Sequence, residues 1–387
     1  MFLNRIFRVA VAGGMILGVV TLPCRALVNL NDGRDKIHIS GNVSFAWDSN
    51  IFAHQGGSGD YVMSAGLSAD YARKAGLIGV DASVAVNASR FNQFTTEDFK
   101  NPSFNVEFTK QSGRTTGSLA LSAARESRAD TAANIRDQSW LYSAGLNLKY
   151  PVIARYSLSG GANYAFHKYQ DNTALVDLKS YSANLDLFYV YTTDRDLSGG
   201  YRYRQENTSA DSKNTDHAFT VGLSGRILPK LNGAINGGYQ IRNSQDVLHS
   251  SSLNGVVDSQ YTSWTSSISL TWSLSKKLNV SGQLSKDFST TSTNNTTDTL
   301  MTSLNASYTF SAKISASAGV DFSNNRFLGL SGAGRIDTYF SAHLGLNYSL
   351  NDHLKASLAE TYSINWSTSS YADFSRNSTV LSLSSRW

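Results

Sequence analysis

The sequence predicts an all-β fold: a transmembrane, antiparallel, up-and-down β-barrel of about 18 strands, with 16 as the alternative. Three observations lead there. Charged residues make up only 16% of the 387 residues while 41% are hydrophobic, against roughly 25% charged in an ordinary soluble chain. Apolar and polar residues alternate with period two over long segments. The segments are joined alternately by tight, turn-like junctions and by longer polar stretches. With 4 prolines beside 30 glycines and 19 tyrosines, collagen, coiled coil and helical solenoid are all poor fits.

The chain begins with what reads as a removable leader. Arg5 and Arg8 precede an apolar run at 9–22, and Cys24-Arg25-Ala26 ends in a small residue suited to cleavage. The expected division is a signal peptide at 1–26, a periplasmic lead-in at 27–36 and a single barrel over 37–387. Cys24 is the sole cysteine, so neither a disulfide framework nor a Cys-built zinc site is available. Removing Arg5, Arg8 and Arg25 lowers the net charge from +5 to +2, and nucleic-acid binding loses its support. After Leu22 the longest apolar run is 187–191, far short of the roughly 20 residues of a membrane helix, whereas a barrel strand needs only about 9–11.

Strand alternation is clearest in the second half. Phe340, Ala342, Leu344, Leu346, Tyr348 and Leu350 share one face, opposed by Ser341, His343, Gly345, Asn347 and Ser349. Trp264, Ile268, Leu270 and Trp272, and then Leu304, Ala306, Tyr308 and Phe310, repeat the pattern. Tight junctions are expected at 73–76, 111–114, 150–151, 193–195, 228–230, 275–277, 311–313 and 351–353. Longer loops are expected at 51–60, 92–102, 128–138, 171–176, 207–215, 243–259, 289–297, 324–334 and 368–373. Short turns on the side of both termini and longer loops opposite are the polarity of an outer-membrane barrel, with periplasmic turns and extracellular loops. Aromatics fall at two levels, as two headgroup girdles require: Tyr71, Tyr150, Trp272 and Tyr348 toward the turns, and Trp47, Tyr61, Tyr239, Trp264 and Trp366 toward the loops. Glu360 is out of place, because strict alternation aims it at lipid.

Chemistry-bearing motifs are absent from the sequence. The seven histidines are dispersed, there is no H-E-x-x-H pair, and the sequences at 222–225 and 329–332 fail the nucleophile-elbow pattern. Neither an enzyme nor a cofactor is implied.

Trp47-Asp48-Ser49-Asn50-Ile51-Phe52, where the first strand leaves the membrane, resembles the aromatic-Asp-Ser-Asn-apolar segment of the putative β-barrel porin 2 family. With the leader, the hairpin repeat and the terminal aromatic, the resemblance extends over the mature chain. It implies a bacterial outer-membrane protein, and some family members are associated with exopolysaccharide production and secretion. Leu381, Leu383 and Trp387 share one face of the last strand and resemble the signal read by the barrel-assembly machinery, although Ser385 departs from the apolar pattern. The leading expectation is a channel for export or passage of polysaccharide or other hydrophilic solutes. A general small-solute porin and a non-conducting adhesin or structural barrel are the alternatives. Expected partners are the lipid bilayer and lipopolysaccharide, the barrel-assembly machinery, polysaccharide and periplasmic export components, with no nucleic acid.

The lumen should be lined mostly by Ser, Asn, Gly, Thr and Ala, with Phe188 a rare inward aromatic, so weak and non-saturating interaction with neutral sugars is expected. Alternation also turns Asp70, Asp81 and Glu107 inward, across the ring from Arg202, Arg204, Arg226 and Arg242. With Lys149, Lys355 and Arg386 added, mild anion preference is expected. A blander arrangement, with Asp186 and Glu206 pairing neighbouring arginines, stands beside it.

Overall fold

The computed structural model describes residues 28–30, 34–74, 76–130, 132–133, 135–170, 175–250, 253–329 and 334–387. The expected signal peptide lies outside the described residues. The strands are β1 (Val28–Leu30), β2 (Asp35–Asp48), β3 (Asp60–Arg73), β4 (Gly79–Phe91), β5 (Phe99–Lys110), β6 (Thr116–Asp130), β7 (Ile135–Ile153), β8 (Tyr156–Tyr169), β9 (Leu178–Thr192) and β10 (Arg195–Thr208). They continue as β11 (Lys213–Leu228), β12 (Leu231–Ser250), β13 (Leu253–Ser273), β14 (Leu278–Thr290), β15 (Thr296–Thr309), β16 (Ile314–Leu328), β17 (Ile336–Ser349), β18 (Leu354–Ser367) and β19 (Phe374–Arg386). Each of β2–β19 pairs antiparallel with its neighbours in chain order, and β19 closes on β2 through Ser378↔Asp48 to Arg386↔Ser40. β1 pairs only onto the start of β2, which leaves eighteen staves in a closed barrel. Two short 3₁₀ turns, Thr95–Glu97 and Ser370–Ala372, are the described helical elements.

Closure leaves no sheet edge in the hydrocarbon, where an unpaired peptide group has no water to turn to. Alternation then sorts the side chains. Val43, Phe45, Met63, Leu67, Leu185, Leu187, Leu344 and Leu346 are exposed on the outer face, as lipid-facing residues are. Girdle aromatics meet across strands: Trp47 against Tyr61, Tyr164 against Tyr181 and Tyr201 against Phe219, at centroid separations of 4.6, 5.1 and 5.1 Å. Inside, glycines give room to neighbouring asparagines. A Cβ at Gly66 would sit 2.2 Å from the Oδ1 atoms of both Asn42 and Asn87, its register partners on β2 and β4.

Seven of the eight expected tight junctions coincide with strand-to-strand turns, and one is displaced. The polypeptide does not turn at Tyr150-Pro151. β7 runs on to Ile153, a register shift between Pro151 and Ile153 absorbs the proline, and the turn comes at Arg155, whose φ is +66°. The loops are mostly shorter than expected. The stretch read as a loop at 243–259 is mainly strand, because β12 and β13 are 20 and 21 residues long. Strands that continue above the bilayer no longer need an apolar face, so they lose the signal that marks a strand in sequence. Glu360 keeps its lipid-facing register: it stands opposite Leu344 on β17 and Thr379 on β19 with no bulge, and it accepts a hydrogen bond from the Thr379 hydroxyl.

Candidate functional site

The lumen is the candidate site, and its two ends differ. Toward the turns, a cavity of about 1230 Å³ is lined by Asp70, Asp81 and Glu107 on β3–β5 and by Lys36, His38 and Arg386 on β2 and β19. Asp81 lies directly across the β4–β5 ladder from Glu107. Among the described residues no ion pair reaches these three carboxylates. Lys149 stands over the Phe188 ring at 4.9 Å, and Asp186 accepts from Asn184 Nδ2 at 2.6 Å.

At mid-height the inner wall is hydrogen-bonding and sparsely charged, with Asp186 beside Asn184 and Asp321 3.7 Å from His343. The triplet Asn42–Gly66–Asn87 is followed round the ring by Asn147–Gly161–Asn184, Ser198–Gly222–Asn236 and Asn305–Gly319–His343, each set in direct register. An asparagine offers both donor and acceptor, and the intervening glycines let its amide lie close to the wall.

Toward the loops the lumen narrows. The β13–β14 ladder stops at Ser266↔Lys286, and above that level β14 parts from β13, so that the β14–β15 hairpin, still laddered to β16 through Thr296↔Leu328, leans across the inner face of β10–β12. β10 and β14 are four staves apart, about 19 Å along the wall, yet Asp287 accepts from Arg202 Nη2 at 2.8 Å and from Arg204 Nη1 at 3.1 Å. Arg204 also donates to Asp216 Oδ2 at 2.6 Å and to the Phe288 carbonyl at 2.7 Å. Arg242, completely buried, donates to Asp216 Oδ1 at 2.6 Å, Glu206 Oε2 at 2.8 Å and the Ser289 carbonyl at 3.1 Å. The hairpin tip is tied further along: Thr290 bonds Asn214 and Glu206, Asn294 bonds Thr208 and Ser212, and the Ser292 carbonyl accepts from the Val176 amide.

This geometry corrects the expected charge pattern. Arg202, Arg204 and Arg242 do not face an open lumen; they are matched by Glu206, Asp216 and Asp287 beneath the hairpin. Arg226 is apart from them, ten residues along β11 from Asp216, roughly 33 Å, and pairs with Asp194 at the turn-side rim. Glu206 does join the arginines, and Asp186 does not. Asp216 is the direct register neighbour of both Arg204 and Arg242, a pairing that strand register alone contains, whereas nothing in local spacing shows that Asp287 reaches the arginines across the lumen.

A second set of contacts bridges the outer mouth. Arg335, before β17, donates to Asp337, to the Ala132 carbonyl across the barrel at 3.0 Å and to the Tyr371 hydroxyl at 3.0 Å. Burial works against its charge, but the hydrogen bond and charge of Asp337 hold its pKa above the usual guanidinium value. Arg136 lies over the Phe91 and Phe99 rings and pairs with Glu97 at 3.4 Å; burial lowers its pKa, with Glu97 opposing. Phe91, Phe99, Phe327 and Phe374 therefore make inward aromatics commoner on the loop side than Phe188 alone suggested, although Phe91, Phe327 and Phe374 are packed away from the passage.

The Trp47–Phe52 segment fastens the barrel seam. Asp48 accepts from Arg376 Nε at 3.0 Å across β2–β19 and from the Asn50 amide at 2.9 Å. Asn50 donates to the carbonyls of His54 and Ser375, Ser49 exchanges hydrogen bonds with the Asn377 backbone, and Ile51 is buried. Phe52 packs edge-on against Phe94. On the last strand Leu381, Leu383 and Trp387 are exposed on the lipid side, with Trp387 stacked on His353 at 4.2 Å.

A closed eighteen-stave barrel with an apolar outer band, two aromatic girdles and a polar lumen defines a β-barrel of the bacterial outer membrane. Residues 207–386 match the family described as Putative beta-barrel porin 2, so the family resemblance holds over the second half of the chain. No curated protein sequence matches this chain. Among solved structures it is similar to OpdK of Pseudomonas aeruginosa with vanillate (11% identity, 91% of this chain and 99% of that chain, TM-score 0.46). It is also similar to OccK2 (OpdF) of Pseudomonas aeruginosa in complex with glucuronate (11%, 91% and 98%, 0.48) and to OccAB2 of Acinetobacter baumannii (12%, 91% and 98%, 0.47).

Proposed function

We propose that this porin passes neutral and weakly charged hydroxylated solutes of the saccharide class, by size and with little affinity. The carrying observation is the mid-height ring of asparagines set against glycines, which supplies hydrogen-bond donors and acceptors to replace a solute's water, with only a few carboxylates such as Asp186 and Asp321 among them. The inner-side rings on which a tight sugar site would be built are engaged by other side chains: Phe188 lies beside Lys149, Phe91, Phe99 and Phe327 lie beneath arginines, and Phe374 and Tyr169 pack on Tyr339 and His167. Export of polysaccharide is the more demanding form of the same reading, favoured by the family resemblance, and it requires the loop-side constriction to widen.

Reconstituted protein in liposomes, challenged with neutral sugars from monosaccharide upward, tests this. Swelling rates should fall smoothly with size and rise linearly with concentration. Absence of swelling and of bilayer conductance would overturn the channel reading in favour of a structural barrel. Block of conductance by a neutral oligosaccharide at millimolar or lower concentration would overturn the low-affinity part.

A further inference from the structure

We infer that the β14–β15 hairpin is a two-position gate, which sets the size of solute the channel passes. The inference rests on the channel reading above, but its central observation is structural. In the position seen, the hairpin lies inside the barrel, latched to β10–β12 by Asp287 on Arg202 and Arg204 and by the Phe288 and Ser289 carbonyls on Arg204 and Arg242. Almost all of these contacts are polar, and water can replace them one by one.

The second position is written in β13. From Leu253 to Thr265 that strand pairs with β12 on one side, while its ladder to β14 ends at Ser266↔Lys286. Its remaining edge is an unfilled template for a strand. Extending the existing register by four residues would set Asp287 opposite Thr265, Phe288 opposite Trp264, Ser289 opposite Ser263 and Thr290 opposite Thr262. The alternation of β14 fits that continuation. Asp287 and Ser289 would face the lumen, and Phe288 would join Trp264, a lipid-face residue exposed in the girdle, as a cross-strand aromatic pair. Instead Phe288 is 1% exposed, with the Arg242 guanidinium 5.4 Å above its ring.

The two positions exchange like for like. Releasing the latch gives up the contacts to three arginines and the tip's bonds to Glu206, Asn214, Thr208, Ser212 and Val176; zipping onto β13, with β15 carrying its ladder to β16 along, gains backbone ladder bonds and an aromatic pair. The hinge is the level of Lys286, whose carbonyl accepts from the Thr265 hydroxyl at 2.9 Å and whose ammonium pairs with Asp298 at the base of β15. Such an element, with two packings of similar cost, is what a switch requires. Zipped out, it would clear the inner face of β10–β12.

Two engineered disulfides trap the positions separately, in a mature chain expected to contain no other thiol. Asn214→Cys with Thr290→Cys joins side chains now 3.0 Å apart and holds the latched form. Thr262→Cys with Thr290→Cys can close only in the zipped form. Both should oxidise in the reconstituted, heat-modifiable barrel, and the zipped form should conduct severalfold more than the latched form, with the difference abolished by reductant. Complete oxidation of the first pair with none of the second, in protein that has folded, would overturn the gate and leave the hairpin a fixed wall thickening. Equal conductance of the two trapped forms would overturn its control of size. Asp287→Asn, which weakens the latch without any new bond, should raise the rate at which the Thr262–Thr290 pair oxidises; an unchanged rate would count against the latch. Because cross-linking is read on gels, the gate can fail while the channel stands.

Discussion

The two halves of this barrel are stabilised in different ways. The turn-side half is a shell: its side chains meet lipid outside and water inside, Asp70, Asp81 and Glu107 stand free beside a large cavity, and the ladder itself does the holding. The loop-side half has an interior. Ile51, Phe91, Phe288, Phe327 and Phe374 are buried there, and Arg242, Asp216 and Asp60 are fully enclosed. Buried charge survives only when it is paired or hydrogen-bonded: Arg242 and Asp216 pair with each other, and Asp60 accepts from the amides of Tyr61, Gln93 and Phe94. A charge in the first half therefore acts on what passes, and a charge in the second acts on how the loops and hairpin are held.

The largest expected effect breaks the loop-side half at its seam. Asp48→Ala removes the carboxylate that Arg376 and the Asn50 amide share, and with it the order of the segment that clamps β2 to β19. Arg376 is about a third exposed, so water offsets part of the loss and a cost of about 1–3 kcal/mol is expected. The temperature at which the barrel loses its compact gel mobility should fall. Asp70→Asn, on the turn side, should leave that temperature unchanged; if both variants fall equally, the contrast between the halves is wrong.

Selectivity sharpens the contrast. Replacing Asp70, Asp81 and Glu107 by Asn, Asn and Gln removes three negative charges from the wide half, and the reversal potential in a salt gradient should move toward anion preference, more at low salt than at high. Replacing Arg202, Arg204 and Arg242 by Gln should instead loosen the hairpin, because it strips the partners of Glu206, Asp216 and Asp287. A selectivity shift from the arginines with no rise in conductance would return them to the lumen wall, where alternation alone had put them.

How far the sequence could be read follows from which residues lipid constrains. Inside the bilayer every second residue must be apolar, so Phe340 to Leu350 and their turns declared their strand and their face. Above it that requirement lapses, and β12 and β13 were cut short at the first polar stretch. Alternation turns Arg202, Arg204 and Arg242 inward, but Asp287 reaches Arg202 and Arg204 only because β14 parts from β13 above Lys286, and Phe288 carries the outward parity of a wall residue while being buried. The Trp47–Phe52 segment stands out in the sequence, while its partner Arg376, more than three hundred residues away, is brought to it only by closing the barrel. Pro151 signals a turn because proline removes a ladder donor, yet a register shift accommodates it within β7.

The smallest expected effect concerns an outer-face carboxylate that this contrast does not explain. Glu360 lies among Ala306, Ala316, Ala318, Leu344, Leu346 and Leu358, in a shallow outer-face groove of about 350 Å³, with the Thr379 hydroxyl as its hydrogen-bond partner. A carboxylate on the lipid face near mid-depth costs energy, less than the 2–4 kcal/mol of a lysine or arginine there, and one hydroxyl repays only part of it. If acyl chains cover the groove, Glu360→Leu should stabilise the barrel by about 1–2 kcal/mol in unfolding from lipid, and Thr379→Val alone should destabilise it slightly by leaving the carboxylate without its donor. If another protein surface supplies a donor to Glu360, the leucine variant should lose stability in the native membrane while gaining it in pure lipid. The expected result is a gain in both, since the residues around Glu360 are small and apolar and suit lipid without help.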